Sequence, residues 1–381
     1  MAQYLILFNM IGINESWVLD IQTELGIPLI AMQELQSFTS IEECSLLLPI
    51  FKISFTLSNI KNLSYLNEGA ILKVALGKTI KDLKYLNLQI LQITESTNTQ
   101  RDITLVATLY KPSYSKSNKI LVHKNITSVE LIHKLAGAYF DVESNVALSS
   151  DRKDWPQFGL SDKTFIEYLW LNSHLSNGIL ATACSALENK FIIKDIIKEF
   201  TKGDYDFRIG YSKKTDKDIL ISQIFGSMAN YGFYNSWATN ETTLLNYNKK
   251  EDSFDIKTLS QTSLLSTSDK HILNSNVEKD IAKPSFYSDS VYSQSKKSNI
   301  FGLTNYAKYQ IELKTVGQFS DIKLLDSAYL DLNNETKGNE EYFSGNYLVT
   351  RVVRHISDSN ISTKLVLSRE SPGNAQGSSL R

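Results

Sequence analysis

The strongest constraint on this chain lies near its end, in residues 343–370, FSGNYLVTRVVRHISDSNISTKLVLSRE. Residues 347–355 and 363–367 are rich in β-branched and aromatic side chains, and Ser357-Asp358-Ser359-Asn360 supplies turn chemistry between them. The run predicts a closing β-hairpin. In its second arm Thr363, Leu365 and Leu367 alternate with Lys364 and Ser368, with Val366 the exception, so one face is dry and the other mostly wet. Another strand is predicted at 309–314, where Tyr309, Ile311 and Leu313 alternate with Gln310, Glu312 and Lys314. The polar span 333–341 reads as an exposed loop. Such an antiparallel group forms the last wall of a small barrel or sandwich, and carries no chemistry by itself.

The first part of the chain, 1–118, reads as mostly strands. Phe51, Ile53, Phe55 and Leu57 alternate with Lys52, Ser54 and Thr56. A second strand, 71–76, follows the turn residues Asn67-Glu68-Gly69, a third spans 85–93, and Ile103, Leu105, Ala107 and Leu109 mark a fourth. Residues 41–48 fit either a further strand or a short helix. Short strands separated by turn signals point to a barrel or sandwich.

From residue 119 the texture changes. Thr127 and Glu130 form a capping box, Ile126 and Leu131 a hydrophobic staple, and Ile132, Leu135, Ala136 and Tyr139 line one helical face. A loop carrying Trp155-Pro156 is expected next. A second helix then starts at Ser161-Asp162, carries Phe165, Leu169 and Trp170, and breaks at Asn177-Gly178. Residues 179–186 and 191–197 read as a hairpin turning at Glu188-Asn189-Lys190, which completes an α+β module. Strands follow within 207–233. The span 240–298 is rich in Ser, Asn, Lys and Asp with a lone Pro284, yet holds scattered Phe254, Ile256, Leu264, Leu265, Ile272, Phe286 and Tyr292, so it reads as long ordered loops leaning on a neighbour.

At 381 residues the chain is long enough for several domains and a sizeable core. Its formal net charge of −1 predicts no nucleic-acid or anionic-membrane partner. The basic pairs Lys213-Lys214, Lys249-Lys250 and Lys296-Lys297 sit among acids and read as solvated surface. The start, MAQYLILFNMIGINESW, has no basic leader and its apolar run breaks at Asn9, so no signal peptide is expected, and no apolar run is long enough for a membrane span. Cys44 and Cys184, the only cysteines, read as small buried apolar residues.

The same residues argue against catalysis. His123, His133, His174, His271 and His355 form no HExxH or close pair, and His355, beside the hairpin turn, is expected to pack or hydrogen-bond. GxSxG, GxGxxG and GxxxxGK[ST] motifs are absent, and Glu42-Glu43 and Glu340-Glu341 read as solvated faces or loops. The reading is therefore of a non-enzymatic chain with no catalytic, cofactor-binding or metal-ligating residue and no cofactor.

The ordered set Gly345, Tyr347, Val349, Val352, His355, Leu365, Leu367 and Arg369 resembles the C-terminal signature of the baseplate hub proteins of contractile phage tails. A second match, Thr127, Trp155, Phe165, Gly178, Phe191 and Asp195, resembles the domain inserted in those hubs. The hub part of type VI secretion spike proteins is related. The resemblance implies an α+β, mainly β fold: two tail-tube-like β-barrel domains with an inserted α+β domain and loop-rich excursions. On that pattern 1–118 is the first barrel, 119–204 the insert, 205–240 with 305–372 the second, discontinuous barrel, 241–304 a loop-rich insertion and 373–381 a flexible tail. It implies a homotrimer joining a six-fold tail tube to a three-fold central spike, within the virion tail baseplate and assembled in the host cytoplasm. Implied partners are the tail tube protein, a separate spike protein, other baseplate proteins and the tape-measure protein. DNA would pass the pore without specific binding, and no membrane insertion is expected. A receptor- or carbohydrate-binding tail protein, which exposed tryptophans among the dispersed Trp17, Trp155, Trp170 and Trp237 would favour, and a tail-associated lytic enzyme are the alternatives.

Overall fold

A computed structural model of the chain describes residues 6–9, 16–28, 34–44, 48–56, 66–77, 81, 83–96, 102–175, 178–212, 215–229, 241–248, 253–260, 280–281, 309–316, 322–332, 343–357 and 360–369. The expected loop at 333–341, the tail at 373–381, His271 and Trp237 lie outside them.

Seven antiparallel strands open the fold: β1 (Ile6–Asn9), β2 (Ser16–Thr23), β3 (Leu35–Glu43), β4 (Ile50–Thr56), β5 (Ile71–Gly77), β6 (Lys84–Ser96) and β7 (Asp102–Leu109), in the order β1-β2-β5-β6-β7-β4-β3. Their alternation works as the sequence suggests. Phe51, Ile53 and Phe55 of β4 face Ala107, Leu105 and Ile103 of β7 across the ladder, and all six are essentially inaccessible. Pairing a phenylalanine with an alanine fills the layer without overpacking. Of the ambiguous 41–48 stretch, residues 41–43 are the end of β3, which begins earlier at Leu35, and 45–47 lie outside the described residues.

The middle of the chain supplies α1 (Pro112–Ser115), β8 (Lys119–Ile126), α2 (Ser128–Ala136), β9 (Asp141–Ser144), β10 (Lys153–Leu160), α3 (Asp162–Asn172), β11 (Leu180–Ser185), β12 (Lys190–Asp195) and α4 (Ile196–Thr201). The capping box forms: Thr127 Oγ1 accepts from the Glu130 backbone N–H while the Glu130 carboxylate accepts from Thr127 N at 2.9 Å. Ser161 caps α3 by accepting from Thr164 N. Trp155-Pro156, expected in a loop, lies in β10, which pairs with β8 as a two-stranded ribbon. A ribbon has an outer edge on each strand, so a proline that lacks N–H does not interrupt the ladder. Helix α3 stops at Asn172, before the expected break, where Ser173 Oγ turns back to Leu169 O. Strands β11 and β12 form the expected hairpin, with β9 added in parallel.

The last part holds β13 (Phe207–Gly210), β14 (Asp218–Ala229), β15 (Glu241–Asn248), β16 (Ser253–Ser260), β17 (Asp280–Ile281), β18 (Tyr309–Val316), β19 (Ser327–Asp331), β20 (Gly345–Ser357) and β21 (Asn360–Arg369). The region expected to be loop-rich contains a small sheet, β16-β15-β17. Strands β20-β19-β13-β14-β18-β21 pair in sequence, and β21 pairs back to β20, which closes a six-stranded barrel. Closure removes the free edges of an open sheet.

One strand joins this barrel to the first sheet. The start of β20 pairs with β19 through Gly345–Leu348, its later part pairs with β3 through Arg351–Ser357, and β21 pairs with it from Leu348 to Ser357. The 13-residue length of β20 permits this double use. Two cores result. Tyr347, Val349, Val352, Leu365 and Leu367 fill the barrel core, whereas Ile356 and Ile361, at the hairpin tip, enter the core of the first sheet. Burying each such side chain contributes roughly 1.5–3 kcal/mol.

Candidate functional site

Among the described residues, no cluster of His, Cys, Asp and Glu is placed to hold a metal ion. Two histidines make structural contacts: His123 bonds Gln157 and stacks on Phe165, and His355 Nδ1 bonds Thr39 Oγ1 at 2.9 Å. The sequence named no catalytic residue, and the feature with the most organised geometry is a junction where the first sheet, the inserted module and the barrel meet.

Hairpin β11–β12 is the wall of that junction. Leu180, Cys184, Phe191 and Ile193 point into the first core, while Ala181, Ala183 and Ile192 point into the barrel core. Strand alternation places neighbours on opposite faces, so one short hairpin serves both cores. Because both of its faces are buried, β11 is apolar or small at every position, which reads in sequence as a continuous run and gives no clue to the double role. Cys44 packs against the barrel core with its thiol toward Thr182 O at 3.7 Å, so β11 separates it from Cys184. Burial pushes the Cys44 thiol up to about 12 and Cys184 in the same direction, so neither is a thiolate at neutral pH.

Polar contacts pin the same place. Glu42 of β3 and Arg354 of β20 form an ion pair at 2.9 Å with side chains 0% and 3% exposed. The other Glu42 oxygen accepts from Ala186 N at 3.1 Å, and Arg354 Nη2 donates to Ile322 O at 2.8 Å. One buried pair thus touches all three parts of the fold. A row of surface-to-interior ion pairs continues along the connector before β19: Lys194 with Asp326 at 2.8 Å, Lys202 with Asp206 at 2.8 Å, and Lys323 with Glu143 at 3.5 Å.

The residues that carried the sequence resemblance have structural reasons. Gly345 opens β20 at φ +134°, and a Cβ there would lie 2.9 Å from Arg369 Nη1. Arg369 lies over the Tyr347 ring at 4.4 Å and donates to Ser344 O, so glycine, tyrosine and arginine make one lock at the barrel end. Gly178 leaves room for the Asp195 carboxylate, which accepts from Ile179 N and Ile197 N and so starts α4. Trp155 is buried with Nε1 donating to Ile126 O at 2.9 Å, and Trp170 Nε1 donates to Leu180 O at 2.7 Å.

No protein-family model matches the chain, and no curated protein matches it in sequence. Solved structures do match in shape. The tail protein from Neisseria meningitidis MC58 superposes with a TM-score of 0.59 at 9% identity, covering 93% of this chain and 97% of that one. The 43 kDa tail protein of prophage MuSo2 from Shewanella oneidensis gives 0.59 at 9% identity, covering 93% and 98%. A chain of the Francisella PdpA-VgrG complex gives 0.50 at 9% identity, covering 94% of this chain and 59% of that one. At such identities the likeness shows the fold alone, one shared with phage tail proteins.

Proposed function

We propose that this chain is the baseplate hub subunit of a contractile phage tail, a structural adaptor and not an enzyme. The observation that carries the reading is strand β20, which welds a closed six-stranded barrel to a second antiparallel β unit within a tail-protein fold. Three copies of such a chain present six β modules to a six-fold tube and a three-fold face to a spike. In that arrangement recognition lies in strand edges and polar rims, with no need for a catalytic cleft. The partners would be two further copies, the tube protein, a separate central spike, other baseplate proteins and the tape-measure protein. DNA would cross the lumen, for which a net charge of −1 is suitable because it avoids a strong phosphate grip. Assembly would take place in the host cytoplasm, and 1–118 and 205–240 with 305–372 would be the two tube-like units flanking the 119–204 insert.

Trp155 and Trp170 are engaged inside the fold, which removes them as an aromatic platform for sugars. The test is native mass measurement of the purified chain followed by tail assembly in particles lacking it. The reading expects a trimer and incomplete tails. A monomer at every concentration, or complete tails without the chain, overturns it.

A further inference from the structure

The connector between β18 and β19 is held by more carboxylates than ammonium groups. Asp326 is 9% exposed and faces Lys194 of β12 at 2.8 Å. Lys194 is shared with Glu199 of α4 at 3.8 Å, and Glu199 is also paired with Lys202. Lys202 in turn meets Asp206, whose carboxylate accepts from Ser327 N at 2.9 Å, one residue from Asp326. On the other side, Lys323 meets Glu143 of β9 and Glu188 of the hairpin turn, and both acids are shared with Lys190. Among the described residues, five acids, Glu143, Glu188, Glu199, Asp206 and Asp326, thus face four lysines, Lys190, Lys194, Lys202 and Lys323. Lys198, on α4, is turned to Asn145 O and is occupied by the field of Asp195, so it does not balance the excess. The backbone is tightly defined here: Leu325 is fully buried in the left-handed region at φ +63°, held by Leu325 N to Val349 O at 2.8 Å.

We propose that this junction is a proton-linked latch, in which the inserted module seats on the barrel with uptake of one proton by the Asp326 carboxyl group. A partly buried cluster with one surplus negative charge is relieved by protonating the member whose surroundings least favour its charge. That member is Asp326. Burial raises it to about 6, Asp206 adds to the rise, and Lys194 and Lys323 oppose it. Burial raises Glu143 and Asp206 too, but it is outweighed: Lys190 and Lys323 hold Glu143, and Lys202, the Ser327 N–H and Glu199 hold Asp206, below the usual carboxylate range. They therefore stay charged while Asp326 titrates. A carboxyl raised on folding favours the folded junction in acid and costs stability as pH rises through its folded value. Mild acid thus tightens the latch, and neutral pH loosens it.

The test is hydrogen exchange on the full-length chain, reading the local opening equilibrium of the 322–327 connector and of β11–β12 after correction for intrinsic exchange. In the wild type, the opening constant is expected to fall about tenfold between about pH 7.5 and about pH 5. In D326N, which keeps the shape and removes the titration, that change disappears. His133 and His355, both depressed by burial, act in the opposite direction, and they cancel in the comparison of the two proteins. E199Q serves as a second variant: it releases Lys194 to Asp326, so the midpoint of the pH response moves downward. A wild-type response that is flat, one retained in D326N, or a midpoint unmoved in E199Q overturns the proposal.

Discussion

Glu42 and Arg354 sit on adjacent strands, β3 and β20, and bury an ion pair of 2.9 Å at the one seam where the two β units share a strand. Each also binds a third element, Glu42 through Ala186 N and Arg354 through Ile322 O. Removing one member leaves an uncompensated charge in the interior, which typically costs about 3–5 kcal/mol. E42A and R354A are therefore each expected to lower the urea midpoint strongly, whereas a paired apolar replacement, E42L with R354M, recovers most of the loss. Equal loss in the single and paired variants contradicts this account of the seam.

The barrel-end lock gives a local prediction. Gly345 adopts φ +134° with Arg369 Nη1 in the place a Cβ would approach, so G345A meets both backbone strain and displacement of the guanidinium. The cost expected is about 1–3 kcal/mol. R369K keeps the charge and loses the flat stacking on Tyr347, and is expected to be destabilising too. Thermal unfolding of both variants checks this.

His355 is expected to make the closing hairpin sensitive to acid. Burial lowers its affinity for a proton, and the neighbouring charges of Lys314 and Lys364 add to the effect. A histidine depressed in the folded state contributes stability above its ordinary value near 6.5, and that stability is lost as pH falls. Denaturation midpoints of the wild type are expected to drop further than those of H355Q as pH is lowered from about 7.5 to about 5.5. Parallel profiles would show that His355 is not the group responsible.

Much of this was legible locally. Thr127 and Glu130 specify a helix start within four residues, and the alternation in β4, β7 and β18 reports which side faces the core. The rest depends on distant pairing. Lys194 and Asp326 are 132 residues apart, and Thr39 meets His355 across 316. No window of sequence records such partners. Trp155-Pro156 misled because proline signals interruption in a central strand, whereas a two-stranded ribbon tolerates it. Strand β20 has an ordinary strand pattern along its length, and nothing in it says that β19 gives way to β3 halfway.

The two cysteines offer a chemical check. Cys44 and Cys184 face different cores across β11, so a disulfide between them requires the hairpin to leave its place. Oxidation of the native protein is expected to leave both thiols titratable after unfolding, by mass spectrometry under non-reducing conditions. A native Cys44–Cys184 crosslink would mean that β11 does not separate them.

The central claim is that two β units welded by β20 let three chains match a six-fold ring. Cryo-electron microscopy of intact particles tests it most directly. The account predicts three copies in one ring between tail tube and spike, each contributing two barrel-like modules to the six-fold face. A different copy number there, or a location away from that junction, contradicts it.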